Sequence, residues 1–218
     1  VNAETDFVAK NAVFQAYVAD VAAQALASSA ADMDSFMAEK WAKDESLTVK
    51  EALSSQISII GENMKIARFA VRTVEAGALS SYIHMGGKIG VLCEFSFDKP
   101  ETASADAFKT FAHDVAMQVA ATAPVSARRE DVPAEIVERE KAIYMAQAAE
   151  SGKPEAIQEK MAVGRLEKFF KGSVLNEQEF IKDSNMTVKS YSESVSKELG
   201  DTVKVIAFDR LVRGESDN

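Results

Sequence analysis

The sequence predicts an α+β fold: two related subdomains with antiparallel sheets flanked by helices, plus an inserted antiparallel helical hairpin. Three observations predict it. The segments FQAYVADVAAQAL (14–26) and FKTFAHDVAMQVA (108–120) align at a constant offset of 94 residues. That register pairs Phe14 with Phe108, Tyr17 with Phe111, Asp20-Val21-Ala22 with Asp114-Val115-Ala116, and Gln24 with Gln118. Segments rich in Val, Ile, Phe and Tyr, broken at Gly77 and Gly86-Gly87, read as strands joined by tight turns. Two long amphipathic stretches joined by the turn SGK read as a helical hairpin.

In chain order, VNAETDF (1–7) reads as an apparent strand giving way to a helix at a turn that carries Asp6 and Phe7. A large aromatic there either folds into its own core or points outward. The next helix buries Phe14, Tyr17, Val18, Val21, Ala22 and Ala25, which share one face at helical spacing. SLTVKEALSSQISIIGENM (46–64) offers Ser46 or Thr48 as an N-cap, Glu51 at capping-box distance from Thr48, and Gly61 near the helix end. Trp41, near the end of a polar helix, reads as local packing. MKIARFAVRTVE (64–75), LSSYIHM (79–85) and GKIGVLCEFSF (87–97) together predict an antiparallel meander.

The second copy of the helix follows at 108–120, preceded by the strand 87–97 as the first copy is preceded by the turn at Phe7. After Pro124, helices are expected over 132–150 and 154–172, with Pro133 and Pro154 in their first turns and Gly172 as a C-terminal cap. MTVKSYSESVSKEL (186–199) predicts a helix, and DTVKVIAFDRLVRG (201–214) a strand that rejoins the sheet. The expected division is 1–98 for the N-terminal core subdomain, 99–130 with 173–218 for the C-terminal one, and 131–172 for the inserted hairpin.

Composition narrows function. The chain has 218 residues, 47% hydrophobic, enough to bury a sizeable core. No apolar run approaches the length of a membrane span and no basic leader precedes an apolar segment, so neither insertion nor secretion is expected. A formal charge of −9 argues against a general binder of nucleic-acid backbone, and no direct nucleic-acid binding is expected. The single Cys93 agrees with a reducing compartment. Two histidines, His84 and His113, and one cysteine make no metal quartet and no nucleophile–base pair. The glycines at 86, 87 and 90 surround a hairpin turn, and no phosphate loop is present. Neither an enzyme nor a cofactor site is expected.

Five motifs then carry a resemblance. TDFVAKN (5–11), IGEN (60–63) followed by KIAR, SYIHMGGKIGVL (81–92), REDVPAEIVEREK (129–141) and SGKPEAIQEKMAVGRLEKFF (151–170) resemble the elongation factor Ts family, in order and across nearly the whole chain. The resemblance implies a guanine nucleotide exchange factor for elongation factor Tu, acting in translation elongation in the cytoplasm or in an organelle matrix or stroma. It also implies a homodimer formed through the helical hairpin. It further implies a small helical domain upstream, and a first core strand that begins before Val1. Met85 departs from the family, which usually has glycine there.

The resemblance also implies roles for residues. Phe7 would insert between helices of the GTPase beside its magnesium site, with Asp6 fixing the loop that presents it. Ile60 and Gly61 would touch the GTPase near that site, although a glycine-closed helix end explains Gly61 equally. His84 would contact the nucleotide domain away from the phosphates, unless it is simply a surface hairpin histidine. Asn63 caps a helix end or meets the partner. A structural or ribosome-associated interaction protein of the same fold, without exchange activity, is the alternative.

Overall fold

The computed structural model describes residues 1–215, so residues 216–218 of the expected C-terminal subdomain lie outside it. The chain forms two compact units. The first comprises Val1–Thr73, Met85–Lys88 and the segment from Leu211 on; the second comprises Val74–His84 and Ile89–Arg210.

In the first unit, strand β1 (Asn2–Ala3) leads into the short helix α1 (Asp6–Ala9) and then α2 (Ala12–Ala27). Asn11 caps α2 by accepting a hydrogen bond from Val13 N–H. The buried face of α2 is Phe14, Tyr17, Val21, Gln24 and Ala25, the predicted stripe with Gln24 added. Helix α3 (Met33–Ala38) opens with a capping box between Asp32 and Ser35. Strands β2 (Lys40–Trp41) and β3 (Asp44–Thr48) form a hairpin, and α4 (Val49–Ile60) follows directly. Thr48 and Glu51 make the predicted capping box, and Gly61 closes α4 at φ 80°, a left-handed conformation that glycine adopts without a Cβ penalty. Trp41 is on a strand, three residues past the end of α3, and is buried against Tyr17.

Strand β4 is only Met64–Lys65, paired antiparallel with β1. The rest of 64–75 is not a strand, contrary to the predicted meander. Its apolar residues serve the core as side chains instead: Ile66 is buried, and Phe69 lies 4.6 Å from the ring of Phe36.

In the second unit, β5 (Ala78–His84) and β6 (Ile89–Ser96) pair in register from Ala78–Phe95 to His84–Ile89. Alternate residues of β6, Val91, Cys93 and Phe95, are buried under α5 (Asp106–Thr122). Phe95 and Phe111 are fully buried and meet edge to face, each contributing about 2–3 kcal/mol of apolar burial. Helices α6 (Ala134–Ala149) and α7 (Glu155–Ser173) form the hairpin. Pro133 and Pro154 occupy the N-cap positions. Gly172 does not end α7: the helix runs one residue further and is capped by Val174, whose N–H reaches the carbonyl of Phe170. At the base of the hairpin Arg129 forks to Glu167 and Glu177 and stacks over Phe170 at 4.4 Å.

Strands β7 (Glu179–Phe180) and β8 (Asp183–Thr187) precede α8 (Val188–Leu199), and β9 (Lys204–Val212) lies beside β6. The third strand of the sheet is thus β9 rather than the segment after residue 64.

The duplication extends beyond the helices that first disclosed it. The elements β2, β3 and α4 correspond to β7, β8 and α8, with Thr48 matching Thr187 and Gly61 matching Gly200, both 139 residues apart. The offset grows from 94 to 139 because the hairpin region adds 45 residues between the two halves of the second copy. Side-chain bonds repeat with it. Gln24 donates to the carbonyl of Lys40 and accepts from Ala42 N–H, while Gln118 donates to the carbonyl of Glu179 and accepts from Ile181 N–H. Lys43 pairs with Asp20, and Lys182 with Asp114.

Candidate functional site

Two chain reversals in the first unit meet through one carboxylate. Thr5 is the N-cap of α1, its hydroxyl accepting from Val8 N–H at 3.3 Å. The same hydroxyl donates to Glu62 Oε1 at 2.7 Å, and Thr5 N–H donates to Glu62 Oε2 at 3.1 Å. Glu62 can reach Thr5 because Gly61 turns the chain left-handed at the end of α4. The TDF turn and the IGEN turn, distant in sequence, are thereby held together, bringing Asp6, Phe7, Ile60 and Gly61 into one site.

The loop has a second tether. Arg213 Nη1 donates to Asp6 Oδ1 at 2.5 Å, and Lys88 Nζ lies 3.6 Å from Asp6 Oδ2. Arg213 is itself placed by its backbone N–H, which donates to the carbonyl of Lys88 at 2.9 Å. The hydrogen bond from Arg213 holds the Asp6 carboxyl below its usual range, with the charges of Lys88 and Arg213 adding to the effect. More than half of the Asp6 side chain is exposed, so salt weakens these pairs.

Between the tethers stands Phe7, 87% exposed, while its neighbour Val8 is buried and anchors the turn. Phe7 is therefore not a core residue of its own fold. Ile59, one residue before the predicted Ile60, is 68% exposed, whereas Ile60 packs partly against the core. Asn63 is exposed and caps no helix among the described residues.

His84 belongs to the second unit, at the end of β5. Its Nδ1 shares a hydrogen bond of 2.9 Å with the Tyr82 hydroxyl, and the Tyr82 ring meets His113 edge-on at 5.2 Å. His84 and Tyr82 stand two residues apart on one face of the strand, which presents the imidazole half-buried and oriented. The next residue, Met85, takes φ 51°, a conformation that explains why glycine suits this position.

Thr5, Glu62, Lys88 and Arg213 were not singled out in the sequence. One signal was available: an acid follows the closing glycine in both copies, Gly61-Glu62 and Gly200-Asp201. Arg213 gave none, since nothing local shows which turn it reaches.

The arrangement offers an exposed aromatic on a doubly tethered loop, with the carboxylates and cations around it engaged with one another.

Comparison with known proteins identifies the family. The family model described as Elongation factor TS matches residues 4–215. Elongation factor Ts of Trichlorobacter lovleyi is 46% identical over 215 residues, covering 99% of this chain and 69% of that protein. The protein of the same name from Clostridium kluyveri is 43% identical with the same coverage, and that of Clostridium tetani also 43%. A model match over almost the full length, together with identities of this size, means that the chain belongs to the elongation factor Ts family.

Proposed function

We propose that the chain is a guanine nucleotide exchange factor for elongation factor Tu, and that Phe7 is its principal anchor on that GTPase. The observation that carries the reading is the 87% exposure of Phe7 on a loop fixed by Glu62 on one side and Arg213 on the other. Exposing a phenylalanine on a fixed loop forgoes its burial in the monomer, and a partner pocket recovers it. Fixing the loop beforehand lowers the entropy cost of docking.

Exchange then needs only differential binding. A protein that prefers the nucleotide-free GTPase weakens GDP by the same factor that GDP weakens the protein. An aromatic wedged beside the magnesium site of the GTPase would shift ligands of that ion and loosen the phosphates without touching them. No bond is made or broken, so the chain works as an exchange factor and not as a catalyst of covalent chemistry. Ile60 and Gly61 lie on the turn that Glu62 joins to Phe7, and their contact with the partner follows from that proximity. His84, held by Tyr82, supplies a separate contact from the hairpin strand.

The hairpin α6–α7 serves self-association in this reading. Ile143 and Ile157 are 41% exposed and Val163 61%, apolar surface that a second copy would cover. The site of action is the compartment in which translation elongation runs, cytoplasm or organelle. Among the described residues no helix is long and apolar enough to cross a membrane.

The test is release of fluorescent GDP from purified elongation factor Tu. The chain should accelerate it in proportion to its concentration. No acceleration, with the chain folded, would leave a structural interaction protein as the better reading.

A further inference from the structure

The turn between β5 and β6 runs through three left-handed residues in succession: Met85 at φ 51°, Gly86 at φ 65° and Gly87 at φ 95°. Glycine fills two of these positions without penalty, whereas a residue with a Cβ is strained there. Among the described residues the one other non-glycine residue with positive φ is Ala123. Ala123 closes α5, its N–H reaching the carbonyl of Val119, and its side chain is a single methyl. Met85 closes no helix, and its side chain is long, apolar and 61% exposed. Neither the backbone conformation nor the packing of the core calls for methionine at this position.

The turn is tied to the Phe7 loop. Met85–Lys88 belongs to the first unit, as that loop does. Lys88 Nζ lies 3.6 Å from Asp6 Oδ2, and the Lys88 carbonyl accepts from the N–H of Arg213, whose guanidinium holds the other oxygen of Asp6. Met85 stands three residues from one end of this bridge and Phe7 one residue from the other. Two exposed apolar side chains are thus carried on turns that are laced to each other. Backbone strain retained at an exposed, tethered position points to function, and an unbranched thioether adapts to irregular apolar surface.

We propose that Met85 is a second apolar contact with the GTPase, docking beside Phe7 and adding affinity that a glycine at this position could not supply. The inference rests on the exchange-factor reading and extends it to partner preference. A GTPase with an apolar hollow opposite Met85 is favoured over one that presents a polar surface there.

The test measures thermal unfolding, the Kd for nucleotide-free elongation factor Tu and the rate of GDP release for the parent, Met85→Gly, Met85→Ala and Met85→Leu. Met85→Gly should melt as high as the parent or about 2 °C above it, because the strain is relieved, and should bind about fivefold more weakly. A residue that served only its own fold would not give that pair of results. Met85→Ala keeps the strained backbone and loses the contact, so it should melt with the parent and also bind about fivefold more weakly. Met85→Leu, apolar and of similar volume, should stay within about twofold of the parent affinity.

The proposal is overturned if Met85→Gly and Met85→Ala bind and exchange like the parent, or if Met85→Leu loses as much as Met85→Ala. It is equally overturned if Met85→Gly melts lower, which would put Met85 in the service of the turn. A loss in Met85→Gly without one in Met85→Ala would overturn it as well, since a loosened turn would then be the cause. A parent chain that neither binds the GTPase nor accelerates GDP release overturns the exchange-factor reading itself. A parent that does both, with variants that match it, overturns the role of Met85 alone.

Discussion

Each copy of the repeat fastens the loop before its long helix to the turn after its shorter one, and the two fasten different things. In the first, Glu62 grips Thr5, and the next residues are Asp6 and the exposed Phe7. In the second, Asp201 accepts from Asp98 N–H, Lys99 N–H and the Thr102 hydroxyl, and the loop it grips is the short 3-10 helix Pro100–Ser104. Thr5 N–H and Lys99 N–H are equivalent donors to equivalent acids. At the position of Phe7 the second copy has Glu101. A duplicated clamp has kept its skeleton in both places and exposes an aromatic in only one. On the proposed reading the clamp belongs to the fold, and the residue it presents belongs to the function.

The cores differ in the same sense. Gln118 is fully buried and holds Gln178, Glu179 and Ile181, whereas Gln24 retains some exposure beside Glu39, Lys40 and Ala42. Asp114 is almost buried and Asp20 a third exposed. The largest predicted effect follows. Gln118→Ala strands the Ile181 N–H and the Glu179 carbonyl and should cost about 3 kcal/mol in urea unfolding, against about 2 kcal/mol for Gln24→Ala. Equal costs would mean that the second copy is not the better-buried frame.

Glu62→Ala sharpens the contrast between clamp and cargo. Losing two hydrogen bonds to a carboxylate should loosen the Phe7 loop by about 1.5 kcal/mol, read as a roughly tenfold slower exchange on elongation factor Tu. The melting temperature should move little, because the bonds are only partly buried. Glu62→Gln should restore part of the rate, as the amide oxygen can still accept one bond. A rate unchanged in Glu62→Ala would make that clamp irrelevant to function.

Asp201 separates the two copies by pH. Its carboxyl is lowered from 3.8 to about 2, chiefly by the Thr102 hydroxyl and further by the N–H groups of Asp98, Thr202 and Lys99. A carboxyl depressed in the folded state stabilises it fully above the unfolded value and ceases to do so as pH falls through the folded one. The stabilisation from Asp201 should therefore vanish between about pH 4 and pH 2. Asp201→Asn should flatten that limb of the stability profile and leave exchange unaltered. A loss of exchange in a folded Asp201→Asn chain would contradict the division of roles.

The smallest effect belongs to Arg213. Arg213→Ala removes an exposed pair from Asp6 and should slow exchange by about threefold at low salt, less as salt rises. Insensitivity to salt would show that Arg213 acts through something other than its charge.

Much of this was legible in the sequence, because helix faces, caps and glycine turns are local. The stripe from Phe14 to Ala25, the Thr48–Glu51 box and Gly61 all follow from spacing and side-chain chemistry within a few residues. The failures are non-local. Nothing within 64–75 states that pairing stops at Lys65, since a strand depends on its neighbour as much as on itself. Gly172 looked like a stop, but a glycine ends a helix only where the chain must turn left-handed, and α7 does not turn there. The candidate turns at Phe7 and Gly61 are readable from their motifs, while Glu62 and Arg213, which tether them, act on residues 57 and 207 positions away. The repeat disclosed itself in α2 and α5 and hid after them, because the hairpin shifted its register.

The most direct test of the central claim measures GDP release from elongation factor Tu and thermal unfolding together for Phe7→Ala and Glu101→Ala. Phe7→Ala should melt with the parent, an exposed side chain contributing little to stability, yet lose about 2 kcal/mol of partner affinity and exchange roughly thirtyfold more slowly at limiting concentration. Glu101→Ala should match the parent in both. A Phe7→Ala chain that exchanges at the parent rate, or that loses activity only because it unfolds, would contradict the assignment of Phe7 as the anchor.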